Sequence, residues 1–173
     1  MTDSQTYVIR RSFVLPMGLT IALTLALMVV CILQGQAIAK VVILGVLLLP
    51  MVALFLESAF RRLVVTDQGV TAYRLFRQRD VLFSDVTSLE SVQVRSRVFL
   101  TLSMGPDDFL IISNSYANFP ELVNRLVAAV PKGAVTEEVE QLVQKPPRKQ
   151  ADVFTAWFAV IALVYVLIAQ FRG

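Results

Sequence analysis

Apolar and polar positions divide this chain into three long apolar runs and one stretch in which they alternate. Residues 12–39 carry no charge. About 20 apolar residues suffice for a helix to cross a hydrocarbon core, so the pattern predicts a first membrane span at about 13–33. Gln34-Gly35-Gln36 breaks the run, and a second span is predicted at about 37–57. It holds Lys40 near one end, where the aliphatic stem lets the ammonium reach the interface. It also holds Pro50, where a lost backbone hydrogen bond predicts a kink. The short connection makes these two helices an antiparallel hairpin. A third span is predicted at 153–171, with Trp157 near its start and Phe171-Arg172 at its end. Ala37-Ile38-Ala39 resembles a signal-peptide cleavage site, but the apolar run before it is longer than a signal h-region of roughly 7–15 residues. The first span is therefore expected to be retained.

Between the second and third spans the period changes to two. Residues 62–66 read as a strand, and Asp67-Gln68-Gly69 as a tight turn in which glycine supplies a positive φ. Residues 70–76 and 79–83 read as the next two strands, and 86–94 as a weaker one. Val98, Leu100, Leu102 and Met104 then alternate with Phe99, Thr101 and Ser103. After the turn at Gly105-Pro106-Asp107, residues 108–113 return. Short strands at this spacing predict an antiparallel sheet that curls on itself. Asn118-Phe119-Pro120-Glu121 is a helix start with an N-cap Asn and a glutamate at N3. Phe119, Leu122, Val123, Leu126, Val127 and Val130 form one stripe at helical spacing, suited to covering the sheet. The predicted organisation is an N-terminal tail and two spans in residues 1–60, a sheet domain in 61–131, a linker with a short helix in 132–152, and a third span in 153–173. The short helix begins at Thr136 and is stopped by Pro146-Pro147.

A strand ending in Thr66-Asp67-Gln68-Gly69-Val70, a basic hairpin, the element Leu82-Phe83-Ser84-Asp85-Val86, a final strand pair and an amphipathic helix together resemble the bacterial pleckstrin-homology (PH-like) domain. The resemblance covers about residues 61–130. Phe83 stands where the family commonly has tryptophan, and a third span follows a domain that the family more often places after two. Taken with the three apolar runs, it implies an α+β membrane protein: a helical hairpin, a PH-like curled antiparallel sheet capped by a C-terminal amphipathic helix, then, from the last apolar run, a third transmembrane helix.

Composition narrows the chemistry. Of 173 residues 56% are hydrophobic and 17% charged, a membrane-protein balance rather than a soluble one. Histidine is absent, which excludes Ser–His and Cys–His catalysis and histidine metal sites. The single Cys31 lies within an apolar run, so it forms no intramolecular disulfide and no cysteine zinc site. A net charge of +3 gives no reason to expect nucleic acid. With the amino terminus inside, seven Lys and Arg flank the cytoplasmic span ends (Arg10, Arg11, Arg61, Arg62, Lys145, Arg148 and Lys149) against Lys40 and Arg172 opposite. That bias predicts a cytoplasmic N-terminus and sheet domain with the C-terminus on the far side, and the resemblance implies an integral protein of a bacterial inner (plasma) membrane.

Two sets of residues are candidate contacts. Arg74, Arg77 and Arg79 surround one hairpin tip, and Arg95 and Arg97 another turn. Basic residues near an anionic leaflet contribute about 1 kcal/mol each, although residues 61–131 hold eight basic and seven acidic side chains, so no single-sign face emerges. Gly18, Ala22 and Ala26 form a small-residue stripe that permits close helix approach, within the chain or to another subunit. Asp107-Asp108 reads as a turn rather than a metal site, because no further oxygens stand at suitable spacing. Ser84-Asp85 lacks a base. No catalytic, cofactor or metal residues and no small-molecule substrate are expected. The expected function is a non-catalytic membrane-anchored interaction module, an accessory or assembly subunit of a membrane protein complex that binds another membrane protein or itself. The alternative is an anionic-lipid sensor working through the arginine turns.

Overall fold

The computed structural model describes residues 4–144 and 151–172, excluding the side chains of 151, 152 and 172. It is an α+β protein with three long apolar helices and two antiparallel sheets. It divides into a sheet unit (residues 4–10 and 60–144) and a helical unit (11–59 and 151–172).

The sheet unit begins before the first apolar helix. Strand β1 (Gln5–Val8) lies in what the sequence gives as an N-terminal tail, and it pairs antiparallel with β2 (Arg62–Val65), Val8 facing Arg62 and Tyr7 facing Leu63. β3 (Gly69–Arg74) and β4 (Arg77–Leu82) complete a four-stranded sheet in chain order. A short 3₁₀ turn at Phe83–Asp85 leads to β5 (Ser88–Val94), β6 (Arg97–Ser103) and β7 (Phe109–Ser113), a separate three-stranded sheet. The expected single curled sheet is thus two. Beyond the strands, an isolated bridge joins Ile9 to Tyr116.

Alternation builds the core. Tyr7, Leu63, Val65, Val70, Ala72 and Val81 are buried on the first sheet, and Leu89, Val98, Leu100, Leu102, Leu110 and Ile112 on the second. Helix α3 (Phe119–Ala129) buries Phe119, Leu122, Val123 and Leu126 of the expected stripe. Its side chains also reach β1: Arg125 donates to Gln5 Oε1 at 2.7 Å, and Gln5 Nε2 donates to Glu121. The predicted side-chain cap at Asn118 is not made. Asn118 adopts a left-handed φ of 52° with no side-chain cap bond, and its carbonyl accepts from the Leu122 amide.

Gly69 also departs from expectation. Its φ is not positive; the need for glycine is space, because a Cβ there would strike the Val81 carbonyl oxygen and stand 3.1 Å from Leu82 Cα. The segment read as a linker is partly domain. Val135 bridges Leu89 in parallel, and α4 (Glu137–Gln144) buries Val139 and Leu142. At the start of α4 the Thr136 carbonyl accepts from the amides of Val139 and Glu140. The Glu138 carboxyl is held below its ordinary range, first by its own backbone amide and then by the Thr136 hydroxyl. Pro146-Pro147 and the basic residues Lys145, Arg148 and Lys149 lie outside the described residues.

In the helical unit, α1 spans Arg11–Leu33, α2 spans Ile38–Phe60 and α5 spans Ala151–Arg172. All three are long and apolar enough to cross a membrane. α1 packs along α5 with Thr20, Thr24, Leu27 and Cys31 buried, and Val160 buried on α5. The threonine hydroxyls donate back to their own helix, Thr20 to the Pro16 carbonyl at 2.7 Å and Thr24 to the Thr20 carbonyl at 2.8 Å. Gln34, just after α1, and Gln170, near the end of α5, exchange two hydrogen bonds, so these two helices run parallel. α2 has no buried residue, and Pro50 lies inside one continuous helix.

The pairing of β1 predicts a measurable dependence. Val8 faces Arg62, so a short glycine-serine turn in place of α1 and α2 should join residues 4–10 to 61–144. Burying an apolar side chain contributes about 1.5–3 kcal/mol, and β1 with its extension buries Tyr7 and Ile9. The joined protein should melt cooperatively and well above a fragment of residues 61–144 alone. Equal melting would show that β1 contributes nothing.

Candidate functional site

The period-two alternation that builds the core also positions three of the candidate arginines. On β3, Val70, Ala72 and Arg74 share one face; on β4, Val81, Arg79 and Arg77 do, and the pairs face each other in that order. Val70, Ala72 and Val81 are buried, so Arg74, Arg77 and Arg79 continue the core face of the sheet past the point where the core ends. Across from them lies β7. Together they line a groove of about 670 Å³ whose walls carry the three arginines, Phe76, Phe109 and Ile111, within the range of roughly 300–1,000 Å³ typical of ligand sites. Each wall comes from a strand with one free edge, since β4 ends the first sheet and β7 the second.

The electrostatics of the groove are uneven. Arg79 pairs with Asp108 of the β6–β7 turn, each side chain about half exposed. Asp108, a turn residue in the sequence reading, therefore also braces the groove. Arg74 and Arg77 stand directly opposite each other on one face, and like charges in that position destabilise a strand pair. Neither has an acidic partner among the described residues.

Arg95 and Arg97 do not join this set. Arg97 lies six residues along β6 from Ser103, which faces Phe109; at about 3.3 Å per residue that is roughly 20 Å. Arg95 holds a left-handed φ of 55° in the β5–β6 turn, where its carbonyl accepts from the Gln93 side chain. The small-residue stripe divides as well. A Cβ at Gly18 would stand 3.1 Å from the Phe55 ring, so this glycine serves packing between α1 and α2, whereas Ala22 and Ala26 are exposed.

Ser84 Oγ donates to the adjacent Asp85 at 2.9 Å, a local turn contact. Among the described residues no three His, Cys, Asp or Glu side chains converge. The sequence reading missed Phe76, Phe109 and Ile111 as groove residues. The available signal was parity: carrying the Val70–Ala72 alternation one step further puts Arg74 on the core face. Comparison with family models, curated proteins and solved structures returns no match to the chain.

The exposed Arg79–Asp108 pair should matter little to stability. Pairs of this exposure contribute about 0–1 kcal/mol, so Asp108→Ala should lower the domain's stability by no more than about 1 kcal/mol in a denaturant melt. A larger loss would make the pair a structural member of the groove wall.

Proposed function

We propose that this chain is a non-catalytic, membrane-anchored interaction module, an accessory or assembly subunit of a membrane protein complex. The observation that carries the reading is the groove between the free edges of β4 and β7, which presents cations and exposed apolar side chains. Exposed apolar residues beside a free strand edge suit an extended segment of a partner protein. The PH-like resemblance is supported by the antiparallel sheets and by α3, which buries its apolar stripe against them.

Three membrane spans in a bacterial inner membrane, with the sheet domain cytoplasmic, complete the proposal. Its support is twofold. β1 precedes α1 and pairs with β2, which follows α2, so the helical hairpin leaves and returns to one sheet. The parallel course of α1 and α5 then favours an odd number of crossings. Reporter fusions after Gly133 and after Gly173 should lie on opposite sides of the membrane, Gly133 cytoplasmic. Both on one side would remove the third span.

Ile111→Glu places a carboxylate on the exposed face of β7 without touching the core. A surface change of this kind shifts stability by about 0.5 kcal/mol or less. The variant should keep the parent's melt but lose the protein, or second copy, that co-purifies in mild detergent. Ala22→Leu with Ala26→Leu is the companion variant, and loss of the partner there instead would move the contact to α1.

A further inference from the structure

The register of the first sheet has a consequence for the hairpin between β3 and β4. Val8, Arg62, Tyr73 and Gln78 form one row across the four strands. At this row the chain leaves β1 for α1, which begins at Arg11, and enters β2 from α2, which ends at Phe60. Arg74 and Arg77 lie one step beyond it, and Leu75-Phe76 forms the turn between them. The hairpin tip is therefore at the sheet end where both apolar helices join. Neighbouring strands are about 4.8 Å apart, so β4 stands roughly 10 Å from β2.

The composition of that end is unusual for a solvated turn. Phe76 is 91% exposed. Arg74 and Arg77 flank it without an acidic partner among the described residues. Arg61 and Arg62 stand at the same end. Arg61 Nε donates to the Tyr116 hydroxyl at 3.1 Å, and Arg62 lies 4.4 Å from the centre of the Tyr73 ring. The opposite end of the sheet, the turn before Gly69, offers Asp67 and Gln68 instead. Phenylalanine on the apolar side of an interfacial segment is buried at the headgroup–acyl boundary of a bilayer, and juxtamembrane arginines favour anionic leaflets. Repulsion between facing Arg74 and Arg77 is relieved by an anion shared between them.

We infer that the β3–β4 tip is an interfacial anchor: Phe76 enters the headgroup layer of the leaflet from which α1 and α2 depart, and Arg74 and Arg77 bind anionic phospholipid headgroups beside it. This device holds the domain on its own membrane constitutively; it does not sense a distant one. It rests on the membrane-spanning reading of α1 and α2, and it assigns to the leaflet Arg74, Phe76 and Arg77, which also stand at one end of the partner groove.

The test uses the full chain with Cys31→Ala, carrying an environment-sensitive fluorophore on Phe76→Cys or, as control, on Gln68→Cys at the far end of the same sheet. Both proteins are reconstituted into phosphatidylcholine–phosphatidylglycerol vesicles and into pure phosphatidylcholine, and retention through carbonate extraction reports that the spans are inserted. The expected result is a blue-shifted emission at 76 and several-fold stronger quenching by headgroup-nitroxide lipid there than at 68. The difference should shrink in pure phosphatidylcholine and with Arg74→Gln and Arg77→Gln together. Retained protein with equal quenching at 76 and 68 overturns the inference. Strong quenching at 76 that ignores both lipid charge and the arginine substitutions overturns the headgroup role of Arg74 and Arg77. Release by carbonate overturns the spanning reading on which the anchor rests.

Discussion

The pairing of β1 with β2 is the contact on which the rest of the structure depends. Four residues ahead of the first apolar helix supply the outer strand of a sheet whose other strands all follow the second. The entropy of closing a loop grows only slowly with its length. The helical hairpin reduces it further by returning the chain close to where it left. The sheet is nevertheless incomplete until both helices have formed, which makes its assembly non-local and slow relative to a simple meander. Tyr7 and Ile9 then seal the first sheet, and Tyr116 ties both ends of the hairpin to the second half of the domain. Its backbone bridges Ile9, its carbonyl accepts from Arg10 at 3.2 Å and its hydroxyl from Arg61.

That arrangement explains where the charges go. An apolar face set by period two should close on itself, yet here it runs out into Arg74, Arg77 and Arg79. Among the described residues only Arg79 is compensated, by Asp108. Placing like charges across a strand pair costs stability, and departures from local consistency are expected where a surface serves binding. The same residues would be unremarkable as a solvated turn on the outer face. Their parity, not their number, separates the two readings, and parity is defined only once the register is known.

The sequence was legible where one local pattern decides the outcome. Long charge-free runs became helices, because no other element satisfies so apolar a stretch, and the alternation in 97–103 became β6 with its expected inward residues. It was illegible where the deciding partner is remote. Gln5-Thr6-Tyr7-Val8 is short and mixed, and nothing within it announces β2 some fifty residues on. Gly69 is required by the backbone of β4, not by its own φ. Asn118 looked like a side-chain cap, yet a left-handed backbone makes the turn instead. For the site, the arginine turns were visible as residue types, but whether they converged was not, and Arg95 and Arg97 prove separate from the other three.

The helical unit adds a constraint of a different kind. Apolar helices in lipid gain little from hydrophobic association and depend on close packing and interhelical hydrogen bonds. Thr20 and Thr24 spend their hydroxyls on their own helix, so between α1 and α5 the close fit around Leu27, Cys31 and Val160 does the holding, with the two glutamines at one end. α2 has no buried residue, and the Phe55 ring approaches α1 at Gly18. α1 and α5 thus hold each other, whereas α2 follows α1 after a short turn and leads directly into β2. The apolar side chains of α2 consequently stay exposed along its length.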